Sequence, residues 1–540
     1  MSVRALALIA LLAGPSIASA RVVSVENPKL SITFDLNERG ISLTSIRNSS
    51  NNVEHISQPS SLFELSADGT ILQSSTGLIV DGSSNADRGA KLAIQAHARH
   101  LPLKVELEVS MPGPDAIAIL KLTITNTGQT KMSLRSVFPN ITGIVTAGPA
   151  TQRMGMVPAE IGSVVPLENT APPLPLAPAR NPPAGMRFDP QLGMPGAMNS
   201  MEVASVYDTS GGGIFFADVD GDLDNDISPI EFNLSAYAVS GYLITELAPG
   251  ETKSLSRLAI GTHDTGDWHA AIDYYTSQHR PRWRFPATPA WLRDQGAIYG
   301  YSGGGAGGIY LMYPGQDLKR RIDSFRELPR LLDEAKRFGT NVVYIWDYWD
   351  GGTEQAARPY ANKGDYIPRT DLGGIPAFVE GIQAIHQQGG KIVVYVEAFI
   401  ILNTSQIGQE KGRLWGGRDS AGEFWAQYRN NYSMPSFYKP WQDYLVKVCE
   451  KLVRDYGVDG IFLDSWAWRM NLAMKTEEEG ILHTPKEYNQ GVLTVADRVR
   501  SAIQAIKPDA VVIGETTAGP IARQWDGGLS ADFAGMAAIN

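Results

Sequence analysis

From about Gln295 the chain keeps one rhythm: a short apolar run, a loop, then an amphipathic helical stretch. The runs are GAIYGYS, TNVVYIWDYWD, GKIVVYVEAFI, VDGIFLDSW and DAVVIGETT. Between them lie LPRLLDEAKRFG, IPAFVEGIQAIHQQGG, PWQDYLVKVCEKLVRDYG and EYNQGVLTVADRVRSAIQAIKP. Runs that are apolar along their whole length suit strands buried on both faces, and the helices supply the crossovers that parallel pairing demands. With right-handed crossovers the arrangement predicted is a (β/α)8, TIM-type barrel. Five strands are used by Thr516, and LSADFAG would be a sixth. The barrel expected here is therefore incomplete at its C-terminus, or else an open sheet; truncation is the preferred reading.

Residues 21–265 have a different pattern. KLSITFDL, GISLTSIRN, LFELSADG, LKVELEVSM, DAIAILKLTITNTG and MSLRSVFPNITG alternate apolar and polar positions between turn residues. That period of two marks antiparallel strands with one buried face, and so many of them predict a large antiparallel β-sandwich. KLTITNTGQTKMSLRSV reads as a hairpin. The prolines of residues 165–200 cannot enter a sheet interior and predict an extended surface excursion. GDWHAAIDYYTSQHRPRW, followed by Pro286 and Pro289, reads as a helical linker over residues 266–290. The fold class expected is thus multidomain, β plus α/β, with a barrel catalytic domain over residues 291–540.

Residues 1–20 read as a secretory signal: Arg4, the apolar run ALALIALLAG, then Ala18-Ser19-Ala20. The protein is expected to be secreted or periplasmic, with no membrane attachment after cleavage. Cys449 is the single cysteine, so no intrachain disulfide can form, and its place in a helical stretch makes it a core residue. A net charge of −10 with no basic stripe argues against nucleic acid as a partner. Asp218, Asp220, Asp222, Asp224 and Asp226 invite calcium, but the glycine sits fourth rather than sixth, unlike an EF-hand loop. A solvated acidic turn is the alternative, and no other cofactor is implied. Gly300-Tyr301-Ser302-Gly303-Gly304 matches the G-x-S-x-G elbow of serine hydrolases, yet GGGAGG follows where that elbow needs a helix.

The chemistry is expected at the strand ends. Asp347 and Asp350 close the second run, Glu397 the third, Asp464 the fourth and Glu515 the fifth. Parallel strands bring these acids to one rim. Any one of them could cap a helix or bind loop amides; four strands in succession point to catalysis. Cleavage of a glycosidic bond needs one carboxyl group to protonate the leaving oxygen and another to attack or to activate water. On adjacent strands Asp464 and Glu515 would approach to about 5–6 Å, the separation of a retaining pair. Asp464 is then the nucleophile and Glu515 the acid/base, with Asp532 the rival acid on the sixth run. Asp347, Trp349, Asp350, Glu397, Trp466 and Asp532 are the candidate substrate contacts. Trp346, Tyr348, Trp415, Trp425 and Trp468 are further sugar platforms or core. Arg413 and Arg418, in GRLWGGRDS, contact substrate or face solvent.

A strand-rich half followed by a barrel with DGIFLDSW and VVIGETT resembles the α-amylase-like glycosidases. Within them it is similar to the endo-α-N-acetylgalactosaminidase branch and to bacterial glycoside hydrolases of the same architecture. The resemblance implies that the fourth-strand Asp464 is the nucleophile and the fifth-strand Glu515 the acid/base. α-Galactosidase-like families take the acid from the sixth strand, which would be Asp532. Phe462 stands where amylase-type chains carry an Arg, which argues against amylase specificity. The activity implied is that of a retaining α-glycosidase on galactose- or N-acetylgalactosamine-type oligo- or polysaccharides. The other reading is a carbohydrate-binding protein with a degenerate barrel.

Overall fold

The computed structural model describes all residues except 1–20, 68, 158–162, 168–200, 221–230, 236–237, 283–286, 296–300, 303–305, 308–309, 312–318, 321, 346–347, 351–362, 426–430, 467–471, 515–523 and 529–540. The signal segment, most of the proline-rich stretch and LSADFAG lie outside the described residues.

Alternation is what builds the N-terminal half. Along Leu30–Asn37 every second residue is buried, so Leu30, Ile32, Phe34 and Leu36 face inward. Lys91–Ala98, Leu103–Ser110 and Ile117–Asn126 repeat the pattern side by side, antiparallel, in a ten-stranded sheet. A five-stranded sheet around Met132–Thr142 and Ala238–Leu247 and another around Leu30–Asn37 join it. Phe34, Leu107, Leu122, Leu134 and Phe138 belong to one buried cluster, so all three sheets share a core. Ser163–Pro166 takes the edge of the large sheet, where a proline's missing N–H costs no ladder bond.

The hairpin expected at KLTITNTGQTKMSLRSV is not formed. Ile117–Asn126 pairs with Leu103–Ser110 and Leu258–His263, whereas Met132–Thr142 pairs with Ala238–Leu247 and Glu64–Ala67. The chain passes from one sheet to another at Asn126, whose buried amide donates to Thr130 O at 2.8 Å and Leu247 O at 3.1 Å. Each strand has one apolar face, and placing them in different sheets lets both faces meet the same core.

His269–His279 is the linker helix, and it buries Ala271, Tyr275 and His279 against Val203–Asp208 and Gly212–Asp218. Beyond it the parallel sheet runs in the order Val342–Ile345, Lys391–Glu397, Gly460–Asp464, Val511–Gly514 and Gly527–Gly528. Four of these are the expected runs. GAIYGYS differs: its described part, Tyr301–Ser302, pairs antiparallel with Ala306–Gly307 in a small separate sheet. The glycines around it favour a tight meander over a long extended strand. Leu328–Arg337 leads into the first of these strands, and the crossovers are the helices Gly374–Gln387, Lys439–Tyr456 and Pro485–Ile506. Gln406–Trp415 is an added helix that carries Arg413, so that residue is not in a loop.

Lys439–Tyr456 shows why these crossovers form. Trp441, Leu445, Cys449, Leu452 and Tyr456 recur at helical spacing and are all buried. Gly457, at φ 84°, ends the helix in the left-handed conformation that favours glycine and turns the chain into the next strand. Trp441 Nε1 donates to Ala398 O at 3.2 Å, pinning the helix to the end of the neighbouring strand. No helix among the described residues is long and apolar enough to cross a membrane.

Candidate active site

Glu397 and Asp464 end adjacent parallel strands and stand directly opposite each other in the register. Tyr395 lies two residues before Glu397, on the same face of its strand. Its hydroxyl lies 3.0 Å from Glu397 Oε2 and also bonds Asp464 Oδ2. Lys363, from the loop before the Gly374–Gln387 helix, places its ammonium 2.9 Å from Glu397 Oε2 and 3.9 Å from Asp464 Oδ2. The same ammonium lies 5.1 Å from the Tyr395 ring centre, within reach of a cation–π contact.

Glu397 is fully buried, and its contacts are internal. Oε1 accepts from the Phe399 and Ile400 amides at 3.1 and 3.3 Å, and Oε2 also accepts from Ser465 Oγ at 3.3 Å. Its backbone N–H donates to the Tyr366 hydroxyl at 2.7 Å. Burial first, and then the Asp464 charge, push its carboxyl up to about 7, although Lys363 and the Phe399 amide pull the other way. Burial, Asp464 and Glu397 hold the Tyr395 phenol well above its usual range, so it stays a donor. Asp464 differs from its neighbour. Its side chain is 19% exposed, and Oδ1 has no hydrogen-bond partner among the described residues.

Ser465 and Tyr366 adopt φ of 50° and 52°, two of five described non-glycine residues with positive φ. Both touch Glu397. Such backbone costs about 1–3 kcal/mol per residue and persists where its surroundings enforce it, a pattern common at functional sites.

The other expected residues fall as follows. Trp349 is buried, stacked on Tyr395 at 5.3 Å and edge-on to Tyr366 at 5.7 Å. Trp466 is buried against Trp525 at 4.5 Å, and its Nε1 donates to Val492 O at 2.8 Å. Both are packed against neighbouring rings, and burial argues against the expected stacking on sugar. Asp350 accepts from Thr370 Oγ1 at 2.8 Å. Arg418 lies over Phe424 at 3.7 Å, donates to Gly422 O and pairs with Glu477, which ties its loop to the segment around Lys475. Asp347, Glu515, Asp532, Trp346 and Trp468 lie outside the described residues, as do Gly300, Gly303 and Gly304 of the serine-hydrolase match.

In the acidic turn Asp220 is bound by Arg257 at both oxygens: Nη2 at 2.6 Å on Oδ1, and the backbone N–H at 2.8 Å on Oδ2. Asp218 Oδ1 accepts from the Asp220 amide. A guanidinium thus occupies the place that the calcium expectation reserved for a cation. Asp222, Asp224 and Asp226 lie outside the described residues. Among the described residues, no group of three or more His, Cys, Asp or Glu side chains gathers as a metal site.

Lys363, Tyr366 and Tyr395 were not among the sequence candidates. Tyr395 carries a readable signal: one tyrosine in the aliphatic run KIVVYVE, on the face of the acid. Lys363 and Tyr366 carry none, because their loop is brought to the strand ends only by the tertiary fold.

Solved structures that resemble this chain include glycoside hydrolases. The α-N-acetylgalactosaminidase NagBb from Bifidobacterium bifidum, in complex with GalNAc, superposes with a TM-score of 0.63 at 12% identity, over 93% of this chain and 78% of that one. The GH36 α-galactosidase AgaA from Geobacillus stearothermophilus gives a TM-score of 0.52 at 11% identity, over 95% and 75%. At such identities the likeness is one of fold. No curated protein matches the sequence. A family model described as "Domain of unknown function (DUF6259)" matches residues 254–529. Since that match takes in just over half of the 540 residues, the chain belongs to the DUF6259 family.

Proposed function

We propose that this protein is a secreted or periplasmic retaining α-glycosidase acting on galactose- or N-acetylgalactosamine-type glycans, with a β-sandwich ahead of a (β/α)8-type barrel. The observation that carries the reading is the state of Asp464. It ends a central parallel strand, one oxygen is braced by Tyr395, and the other is free of described partners. A carboxylate fixed at one oxygen and open at the other is suited to attack. The fold likeness to NagBb and AgaA supports the substrate class.

In this reading Asp464 Oδ1 attacks the anomeric carbon. The bond from that carbon to the leaving oxygen breaks, and the oxygen takes a proton from the acid. Water then attacks the glycosyl ester, gives a proton back to the same residue and releases Asp464 with the anomeric configuration retained. Glu515 is assigned the acid/base role, with Asp532 tested beside it because α-galactosidase-like chains take the acid from the sixth strand.

The test is hydrolysis of aryl α- and β-glycosides by the full chain and by Asp464→Asn, Glu515→Gln and Asp532→Asn. Asp464→Asn is expected to lower kcat by at least about 10³-fold. Whichever acid variant keeps activity only on activated leaving groups names the acid/base. A folded wild-type protein that binds these glycans and turns none over would replace this reading with that of a binding protein.

A further inference from the structure

One ammonium and one phenol serve two carboxylates at this site, and they serve them unequally. Lys363 Nζ lies 2.9 Å from buried Glu397 and 3.9 Å from Asp464. Tyr395 bonds both acids. It has one proton to give, so it can donate to Asp464 while accepting from Glu397 only when Glu397 is itself protonated. Glu397 has no exposed surface through which to meet a sugar, and the groups around it are of the kind that hold and neutralise a charge. Among the described residues, those facing it are Lys363 and Tyr366 from the preceding loop, Tyr395 on its own strand, Asp464 and Ser465 on the next, and the Phe399 and Ile400 amides.

We propose that Glu397 and Lys363 are positioning residues that tune Asp464, the ionised Glu397 drawing the Lys363 charge to itself and leaving Asp464 free to attack. This rests on the reading of Asp464 as nucleophile. With Glu397 ionised, the ammonium is held at the shorter distance, and Asp464 keeps its electron density. Once the glycosyl ester forms, Asp464 has lost its charge and Glu397 still balances Lys363. With Glu397 protonated, Asp464 is the described carboxylate left beside the ammonium. Its attraction then stabilises the carboxylate before attack, and that stabilisation is lost in the transition state. Glycosylation therefore slows as the pH falls through the range where Glu397 takes up a proton, near 7.

The experiment is kcat/KM against pH with an activated aryl glycoside, so that proton donation to the leaving group does not limit the rate. The wild type is expected to lose rate below about pH 7. Glu397→Gln is expected to lack that inflection and to run roughly tenfold or more below wild type at pH 8. Lys363→Met is expected to lose the inflection near 7 without the slowing of Glu397→Gln, because no ammonium is left to hold Asp464, while Lys363→Arg, which keeps the charge, keeps the inflection. An inflection retained in Glu397→Gln, or a wild-type profile flat through this range, overturns the proposal. Carbon-13 titration of the Glu397 carboxyl is the second measurement, assigned with Glu397→Gln. Its midpoint is expected near 7, higher in Lys363→Met and lower in Asp464→Asn. A midpoint unmoved in both overturns the coupling. If no glycoside is turned over, the functional reading fails, and the titration still decides whether the acids share Lys363.

Discussion

Ser465 is a β-carbon residue in the left-handed region directly after Asp464, and its hydroxyl reaches Glu397. If the surroundings enforce that backbone, the residue type should matter in a set order. Ser465→Val, a branched side chain where left-handed backbone is least tolerated, should lower stability by about 2 kcal/mol. Ser465→Gly should stay within about 1 kcal/mol of wild type, because relief of strain offsets the added freedom of the unfolded chain. Urea unfolding of the two variants checks this, and equal losses would sink it. Little of this was legible from the sequence. That Asp464 and Glu397 end strands follows from where apolar runs stop. That one is open and the other sealed depends on Lys363, Tyr366 and Ser465, whose approach no local pattern encodes.

At the scale of elements, the end of Val511–Gly514 opposite its entry is closed by an indole. A β-carbon on Gly514 would lie 0.9 Å from the Trp525 ring, which also packs on Trp466. Gly514→Ala must displace that ring and should cost about 2–3 kcal/mol. The loss is measurable by denaturant midpoint and by a change in tryptophan fluorescence. The entry side of the sheet is held by Asp459, fully buried. It accepts from His386 at 2.7 Å, Lys391 at 3.0 Å, Lys507 at 2.5 Å and the Ile392 amide at 2.9 Å. Burial would raise this carboxyl, but His386 and Lys507 outweigh it and bring it down to about 2. Its folded value lies below its unfolded one, so its stabilisation is present above about pH 4 and lost as the pH falls through about 2. Asp459→Asn leaves the cations around it without their shared anion and should cost roughly 3 kcal/mol at neutral pH, read from the urea midpoint. Asp459 and Asp464 sit at opposite ends of one short strand: the first gathers cations at the entry of the sheet, and the second keeps one oxygen clear of described partners.

At the scale of the molecule, Glu202 couples the antiparallel half to the linker helix. It is buried beside Val203–Asp208 and accepts from the Tyr275 hydroxyl of His269–His279, while Oε1 has no partner among the described residues. Burial pushes its carboxyl up to about 7, against the pull of Tyr275. The folded protein therefore binds this proton more tightly than the unfolded chain. Stability from this group is complete below the unfolded value near 4.5 and is lost as the pH rises through about 7. The loss is on the order of 3 kcal/mol. Glu202→Gln should remove that dependence, so the difference in Tm between pH 5 and pH 8 should shrink relative to wild type. An unchanged difference would sink the assignment.

What the sequence determined by itself was the order of elements, because periods of 2 and 3.6 are local and each apolar face must be covered. The buried place of Cys449, the antiparallel half, four parallel strands and the acids at their ends all follow from that. Partners across space were decided only by the tertiary structure. Strands read as a hairpin part into different sheets because both need the same core. Tryptophans expected to face sugar are enclosed by other rings, since an indole's large apolar area is satisfied by burial as well as by a ligand. Asp220, read as part of a solvated turn or a calcium loop, meets Arg257 instead, a residue that no spacing around the acidic turn points to. The carboxylates themselves are written in the sequence. Which of them is sealed and which keeps an oxygen clear depends on the loop, the lysine and the tyrosines that the fold gathers around them.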